Sequence, residues 1–250
     1  MKKILMISNS FGEDATRYLY GIARAAKESV KVVVLYIGGC SLYRHYRNML
    51  SEEKVYDYII DGIRSGLSVS LKEALLSDEW DYVTLQQCSP LSGKEESYFP
   101  YITELASYVR KMSPVAKLYI HETWSFAEGC ARFDLTEFES RDEMIPSVKK
   151  AYKKAYGAID ADGVLPSLDA MNRLYDSVGE QAYRDGFHCS LGLGRYMLGC
   201  LCFMTFFGSD VKGNTYRDLD VDITEEEAIL AQKIAKETAI DNRIKLKKIN

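Results

Sequence analysis

Two short segments near opposite ends of the chain hold residue types that together perform one kind of chemistry. An apolar run, Lys3-Ile4-Leu5-Met6-Ile7, ends in Ser8-Asn9-Ser10-Phe11-Gly12, and far downstream stands Asp185-Gly186-Phe187-His188. A serine hydroxyl is a weak nucleophile at neutral pH. It needs an imidazole to take its proton, and the imidazole needs a carboxylate to hold its tautomer and stabilise its charged form. Asp185 and His188 are three positions apart and can meet across one turn. Ser10 is thus the candidate nucleophile, His188 its base and Asp185 the orienter of that base. The order Ser, Asp, His separates nucleophile from base by most of the chain, so the fold must return its C-terminal end to the first strand. A parallel α/β sheet does this readily.

The pattern along the chain supplies such a sheet. Apolar runs alternate with amphipathic stretches, which favours βαβ units. Strands are predicted at residues 3–8, 30–37, 80–87, 116–121 and 163–165, with a small extra strand at 56–60 inside an irregular insertion at 41–69. Helices are predicted at 14–28, where Leu19, Ile22, Ala23 and Ala26 share a face, and at 70–77, 99–111, 141–159, 168–175 and 191–207. Residues 122–140 read as a longer loop with Trp124, Phe126 and Phe133, a candidate lid or pocket wall. A polar helix at 224–241, opening with the cap-like Thr224-Glu225-Glu226-Glu227, is appended at the end. The expected architecture is one α/β domain over 1–250. It is a three-layer α/β/α sandwich with a mainly parallel, flavodoxin-like sheet of about five strands.

Composition narrows the function classes. The 32 basic and 36 acidic residues give a formal charge of −4 with no basic stripe, which disfavours nucleic acid as a partner. The opening apolar run is too short for a secretory segment, and the apolar stretch at 196–207 falls short of the roughly 20 residues that span a bilayer. The expectation is a cytoplasmic protein without a membrane partner. Cys40, Cys88, Cys130, Cys189, Cys200 and Cys202 form no C-x-x-C pair, as expected of free thiols in a reducing compartment, and no metal site or cofactor is implied. No feature of the sequence specifies an oligomeric state.

Four short blocks, in order, make the chain resemble the SGNH, or GDSL-type, hydrolase superfamily over roughly residues 3–208. In that resemblance Ile7-Ser8-Asn9-Ser10-Phe11 carries the nucleophile and Asp185-Gly186-Phe187-His188 is the D-x-x-H block. Ile37-Gly38-Gly39-Cys40-Ser41 supplies a glycine N–H to an oxyanion hole, Gly39 being slightly favoured over Gly38, beside the N–H of Ser10. The third block departs from the pattern. Most members carry Gly-x-Asn, whereas this chain has Val83-Thr84-Leu85-Gln86-Gln87-Cys88-Ser89, similar to a poorly characterised bacterial branch with a Leu-Gln-Gln block. The resemblance then implies that Gln86 or Gln87 supplies the amide donor. Neighbouring strand residues alternate faces, so one of the two faces the site.

What the resemblance implies is a serine esterase working through an acyl-enzyme on Ser10. Its substrate is a small ester, with an O-acetyl group on a carbohydrate as the candidate by analogy. Tyr43, Tyr46, Trp124 and Phe126 could stack on a sugar ring. Asn9 beside the nucleophile, and His121 at the end of its strand, are further substrate-facing candidates. A local turn bond competes for Asn9, and His121 competes with His188 as base. His45 is expected at the surface or facing substrate. Cys40, Cys88 and Cys189 lie beside the blocks, either as a thiol nucleophile or as small buried hydrophobes. The alternative function is a non-catalytic, flavodoxin-like module that binds a phosphate or nucleotide where Ser8-Asn9-Ser10-Phe11-Gly12 opens the first helix. Glu13 and Asp14 would repel that anion, and Asp185 and His188 would be left without a role.

Overall fold

The apolar run that opens the chain becomes the central strand of the sheet. The computed structural model describes residues 1–246. Its strands are β1 (Lys2–Ser8), β2 (Val30–Tyr36), β3 (Tyr56–Ile60), β4 (Ile63–Val69), β5 (Tyr82–Leu85), β6 (Lys117–His121) and β7 (Gly163–Leu165). They lie in the order β4-β3-β2-β1-β5-β6-β7. β1 pairs in parallel with β2 and β5, and the parallel run continues through β6 to β7. Strands covered on both faces read as unbroken apolar runs rather than alternations, and β1 is buried from Ile4 onward.

Among the described residues the sheet has seven strands rather than about five. The difference is an antiparallel hairpin of β3 and β4 on the β2 edge. β3 matches the small strand expected at 56–60, whereas β4 was not foreseen. It is an exposed edge strand from Ile63 to Ser68, so no buried face imprints a period on its sequence. Its signal was the turn instead. Asp61 and Gly62 both have positive φ, 50° and 81°, the backbone that an Asp-Gly hairpin turn requires.

The helices are α1 (Ser10–Thr16), α2 (Leu19–Ala25), α3 (Leu42–Ser51), α4 (Leu71–Leu76), α5 (Tyr101–Met112), α6 (Arg141–Ala158), α7 (Ser167–Val178), α8 (Leu193–Phe207) and α9 (Glu225–Asp241). α1, α2, α7, α8 and α9 pack together as one layer. α3, α4 and α5 form the other, with α6 joined to it through the turn at Glu95–Tyr98. The single helix expected at 14–28 is in fact α1 and α2, and the chain bends at Tyr18, whose hydroxyl reaches the Leu191 carbonyl at 2.6 Å. α3 replaces part of the irregular insertion. It buries Leu42, His45 and Met49 at helical spacing, and His45, expected at the surface or facing substrate, instead bonds the Tyr56 hydroxyl through Nδ1 at 2.9 Å. α9 begins with the expected capping box of Thr224 and Glu227. The apolar stretch near the end is α8, buried along nearly its whole length, and no helix among the described residues is long and apolar enough to cross a membrane.

A buried charge follows β6. Glu122 is 5% exposed and sits 3.2 Å from Lys149, which also pairs with Asp169 at 2.7 Å. Burial pushes its carboxyl up to about 7 from 4.5; Lys149 opposes this and Asp169 adds to it. With the folded value above the unfolded one, the stability Glu122 contributes is full below about pH 4.5 and is lost as pH rises through about 7. Glu122→Gln should therefore gain thermal stability relative to the parent between about pH 5 and pH 8. Melting curves that shift in parallel across that range would show that Glu122 does not titrate there.

Candidate active site

β1 sends its connection to β2 on one side while β5 pairs on the other, so the carboxyl ends of β1 and β5 flank a topological switch point, where open α/β sheets leave a crevice. Ser8, Asn9 and Ser10 leave β1 there, and Gln86 and Gln87 leave β5. Asn9 caps α1. Its Oδ1 accepts from the Phe11 N–H at 3.0 Å, and its carbonyl accepts from Gly12 at 3.1 Å and Glu13 at 3.2 Å. Its Nδ2 donates to the Cys40 carbonyl at 3.1 Å, tying this turn to the one after β2. Gly12 lets the helix lie against the strand, since a Cβ there would stand 1.9 Å from Ser8 Oγ. Ser10 is thereby held at the first position of α1.

The structure brings Ser10, His188 and Asp185 together. His188 Nε2 is 2.8 Å from Ser10 Oγ, and His188 Nδ1 is 2.7 Å from Asp185 Oδ2. Asp185 Oδ1 accepts the backbone N–H groups of His188 at 2.8 Å and Phe187 at 3.2 Å. Burial opposes ionisation of Asp185, but the bonds from the His188 ring and these N–H groups outweigh it and hold the carboxyl below its ordinary value. The segment is a closed loop: Ser190 N–H donates to the Ala182 carbonyl at 2.8 Å and Arg184 N–H to the His188 carbonyl at 3.1 Å. Gly186 turns it at φ 83°, against Cys130.

An ion-pair chain fastens this loop to α1. Asp14, 1% exposed and one turn beyond Ser10, accepts from Arg184 at 3.0 Å and Arg195 at 2.8 Å. Arg184 also donates to the Cys189 carbonyl at 2.6 Å. Arg195 continues to Asp220 at 2.5 Å, which Arg17 shares at 2.5 Å. None of these residues belongs to a recognised block, and Asp14 figured in the sequence only as a charge hostile to anions. The available signal was position: Asp14 is four residues after Ser10, and Arg184 immediately precedes Asp185.

The other expected site residues sit behind the site rather than in it. Gln86 is fully buried. Its Oε1 accepts from Ser8 Oγ at 2.5 Å and faces His121 Nδ1 at 2.8 Å, and its Nε2 donates to Asn9 Oδ1 at 2.9 Å. Gln87 is equally buried, accepting from the N–H groups of Leu42 at 3.0 Å and Cys88 at 2.9 Å while donating to the Ser97 carbonyl and hydroxyl. Both amides are engaged in the frame, so the expectation that one of them faces the site is corrected. β5 ends at Leu85, and the alternation of faces no longer governs the two residues beyond it. Asn9 is occupied by the cap. His121 is fully buried, burial pushes its ring down to about 3, and its two ring nitrogens are engaged by Gln86 and Ser167 rather than by Ser10. Trp124 is likewise buried: it stacks on Phe11 at 4.0 Å and donates to the Phe187 carbonyl at 2.8 Å, bracing the loop of His188 instead of facing substrate.

Gly38 and Gly39 are exposed at the turn closed by Cys40 N–H on the Ile37 carbonyl at 3.2 Å. The N–H groups of Ser10 and Gly39 have no acceptor among the described residues. A phosphate cradle at the start of α1 is not favoured, because the Phe11, Gly12 and Glu13 N–H groups are already taken by Asn9. Burial pushes the Cys40 thiol up to about 12 and that of Cys88 up to about 11, and Cys189 also rises well above its ordinary range, so these thiols stay protonated. A cavity of about 790 Å³ opens at the other end of the sheet, among Lys2, Tyr82, Lys117 and Gly163, and includes none of Ser10, Asp185 and His188.

The same fold occurs in solved structures. A DUF4886 family protein from Bacteroides uniformis superposes with a TM-score of 0.89 at 31% identity, covering 99% of this chain and 98% of that one. More distant in sequence are a protein inferred to be an SGNH hydrolase from Slackia heliotrinireducens and a candidate GDSL-like lipase from Parabacteroides merdae. Their TM-scores are both 0.53, at 21% and 12% identity, covering 76% and 79% of this chain and 90% and 92% of theirs. These two likenesses show a shared α/β fold. No match was found among curated proteins. The family model described as "Domain of unknown function (DUF4886)" matches residues 3–239, and the chain belongs to that family.

Proposed function

We propose that this protein is a serine esterase of the SGNH hydrolase type, with Ser10 as nucleophile, His188 as base and Asp185 as orienter. One observation carries the reading: the hydrogen-bonded line from Ser10 Oγ through both ring nitrogens of His188 to Asp185 joins residues 178 positions apart. In this reading His188 takes the Ser10 proton as Oγ attacks the ester carbonyl, and the N–H groups of Ser10 and Gly39 receive the developing oxyanion. His188 then returns the proton to the departing alcohol. A water molecule, deprotonated by His188, attacks the acyl carbonyl, and His188 returns that proton to Ser10 Oγ as the acid leaves. Gln86 and Gln87 have no direct part; they hold Ser8, Asn9 and the turn at Leu42 in place.

The substrate class is a small ester. An O-acetylated sugar keeps Tyr43 and Tyr46 as stacking candidates, because Tyr43 is 46% exposed and Tyr46 half-buried, whereas Trp124 and Phe126 are committed to the core. A cytoplasmic location is supported by the six unpaired cysteines. The test is a fluorophosphonate probe followed by peptide mapping, beside hydrolysis of a panel of acetylated sugars. Labelling is expected on Ser10 and should slow strongly in His188→Ala. A folded protein left unlabelled at Ser10 would overturn the reading.

A further inference from the structure

Arg132 stands out among the arginines. Its guanidinium lies 3.5 Å over the Phe187 ring, and that ring packs 3.7 Å from the ring of His188. It is half-buried, yet among the described residues none of its five N–H donors meets an acceptor. The other arginines that are not exposed all do. Arg17 and Arg195 bond Asp220, Arg173 bonds Asp241, Arg217 bonds Glu225, and Arg141 bonds the Phe126 carbonyl, Tyr183 and Asn172. A guanidinium held over a ring loses part of its hydration and little further entropy on binding, and its fork matches an oxyanion bidentately.

The segment that carries Arg132 is built onto the same loop as the base. Ala127 N–H donates to the Gly186 carbonyl at 2.6 Å, Trp124 donates to the Phe187 carbonyl, and Cys130 packs on Gly186. Arg132 is therefore positioned with respect to His188 rather than free to wander. In acyl transfer the base also protonates the leaving group, so the alcohol portion of the ester must lie beside His188. We propose that Arg132 is an anion-recognition residue of this site, and that the physiological ester carries an oxyanion such as a carboxylate on its alcohol portion. This inference rests on the serine-esterase reading for the side of the substrate that Arg132 meets.

The test compares 4-acetoxybenzoate with its neutral counterpart 4-acetoxybenzamide. The parent should prefer the benzoate in kcat/KM by about tenfold to a hundredfold, mainly through KM. Arg132→Gln should abolish that preference while changing the rate on the amide far less, and Arg132→Lys should keep part of it as a point charge without the fork. High salt should weaken the preference. Equal rates of the parent on both esters, or an equal loss on both in Arg132→Gln, would overturn the proposal and leave Arg132 as a brace for Phe187. Calorimetric binding of 4-acetoxybenzoate to Ser10→Ala, with and without Arg132→Gln, separates the two readings. Arg132-dependent binding without turnover in the parent keeps the anion site and removes the esterase, whereas turnover without preference does the reverse.

Discussion

Ser10→Ala should lower kcat for a good ester substrate by at least about a thousandfold. The expected loss is large because in the proposed reaction the hydroxyl forms the covalent intermediate, and the donors proposed at Ser10 and Gly39 would only stabilise an oxyanion that some other nucleophile has generated. Folding should be spared. Among the described residues Ser10 Oγ has a single partner, His188 Nε2, and lies at the half-exposed start of α1, so its removal leaves no deeply buried group unpaired. The measurement is kcat on a saturating activated ester beside a thermal melt of parent and variant. Turnover within tenfold of the parent would move the nucleophile elsewhere. A large fall in Tm would mean that the loss of rate reflects unfolding rather than chemistry.

The parts of the site legible in the sequence are those whose chemistry demands a residue type. The convergence of Ser10, Asp185 and His188 could be anticipated because a proton relay tolerates few substitutes, and β1, β2, β5 and β6 because strands buried on both faces must be apolar. What escaped was decided by tertiary contact. Trp124 and His121 stand where aromatic and imidazole groups often line pockets, yet one is stacked on Phe11 and the other held between Gln86 and Ser167. The same residue types serve as pocket wall or as buttress, and only the neighbouring backbone distinguishes the two. Gln86 and Gln87 show the same limit of local rules. Alternation would send one toward Ser10, but both lie past the end of β5, where the chain turns and both amides find buried partners. α3 was hidden differently, because His45 counts as polar by type while it occupies a core position between Leu42 and Met49.

The second large effect is expected at Asp14, a positioning residue that touches none of the reacting atoms. Asp14→Asn keeps the shape of the side chain but removes the charge that Arg184 and Arg195 share, and it turns an NH₂ group toward one of them. Removing one partner from a buried ion pair costs about 3–5 kcal/mol, since the remaining charge stays desolvated. Here the cost should fall near the lower end, about 3 kcal/mol, because Arg195 retains Asp220 and the Arg184 side chain is 26% exposed. In a chain of this size that corresponds to a fall in Tm of roughly 6–12 °C. The rate should suffer as well. Arg184 immediately precedes Asp185, so freeing it lets the loop that carries His188 drift from α1, and a displacement of about 1 Å can cost on the order of a hundredfold in kcat. KM should change little, and fluorophosphonate labelling of Ser10 should slow in step with kcat, since both depend on the placement of the imidazole. Asp220→Asn is the control. It weakens the same ion-pair chain at its outer end, where Arg17 and Arg195 meet, without touching Arg184, so it should lower Tm while largely sparing kcat. If Asp14→Asn loses stability but retains parental kcat, the ion-pair chain serves folding alone, and His188 is held in place by Asp185, Phe187 and Trp124 without it.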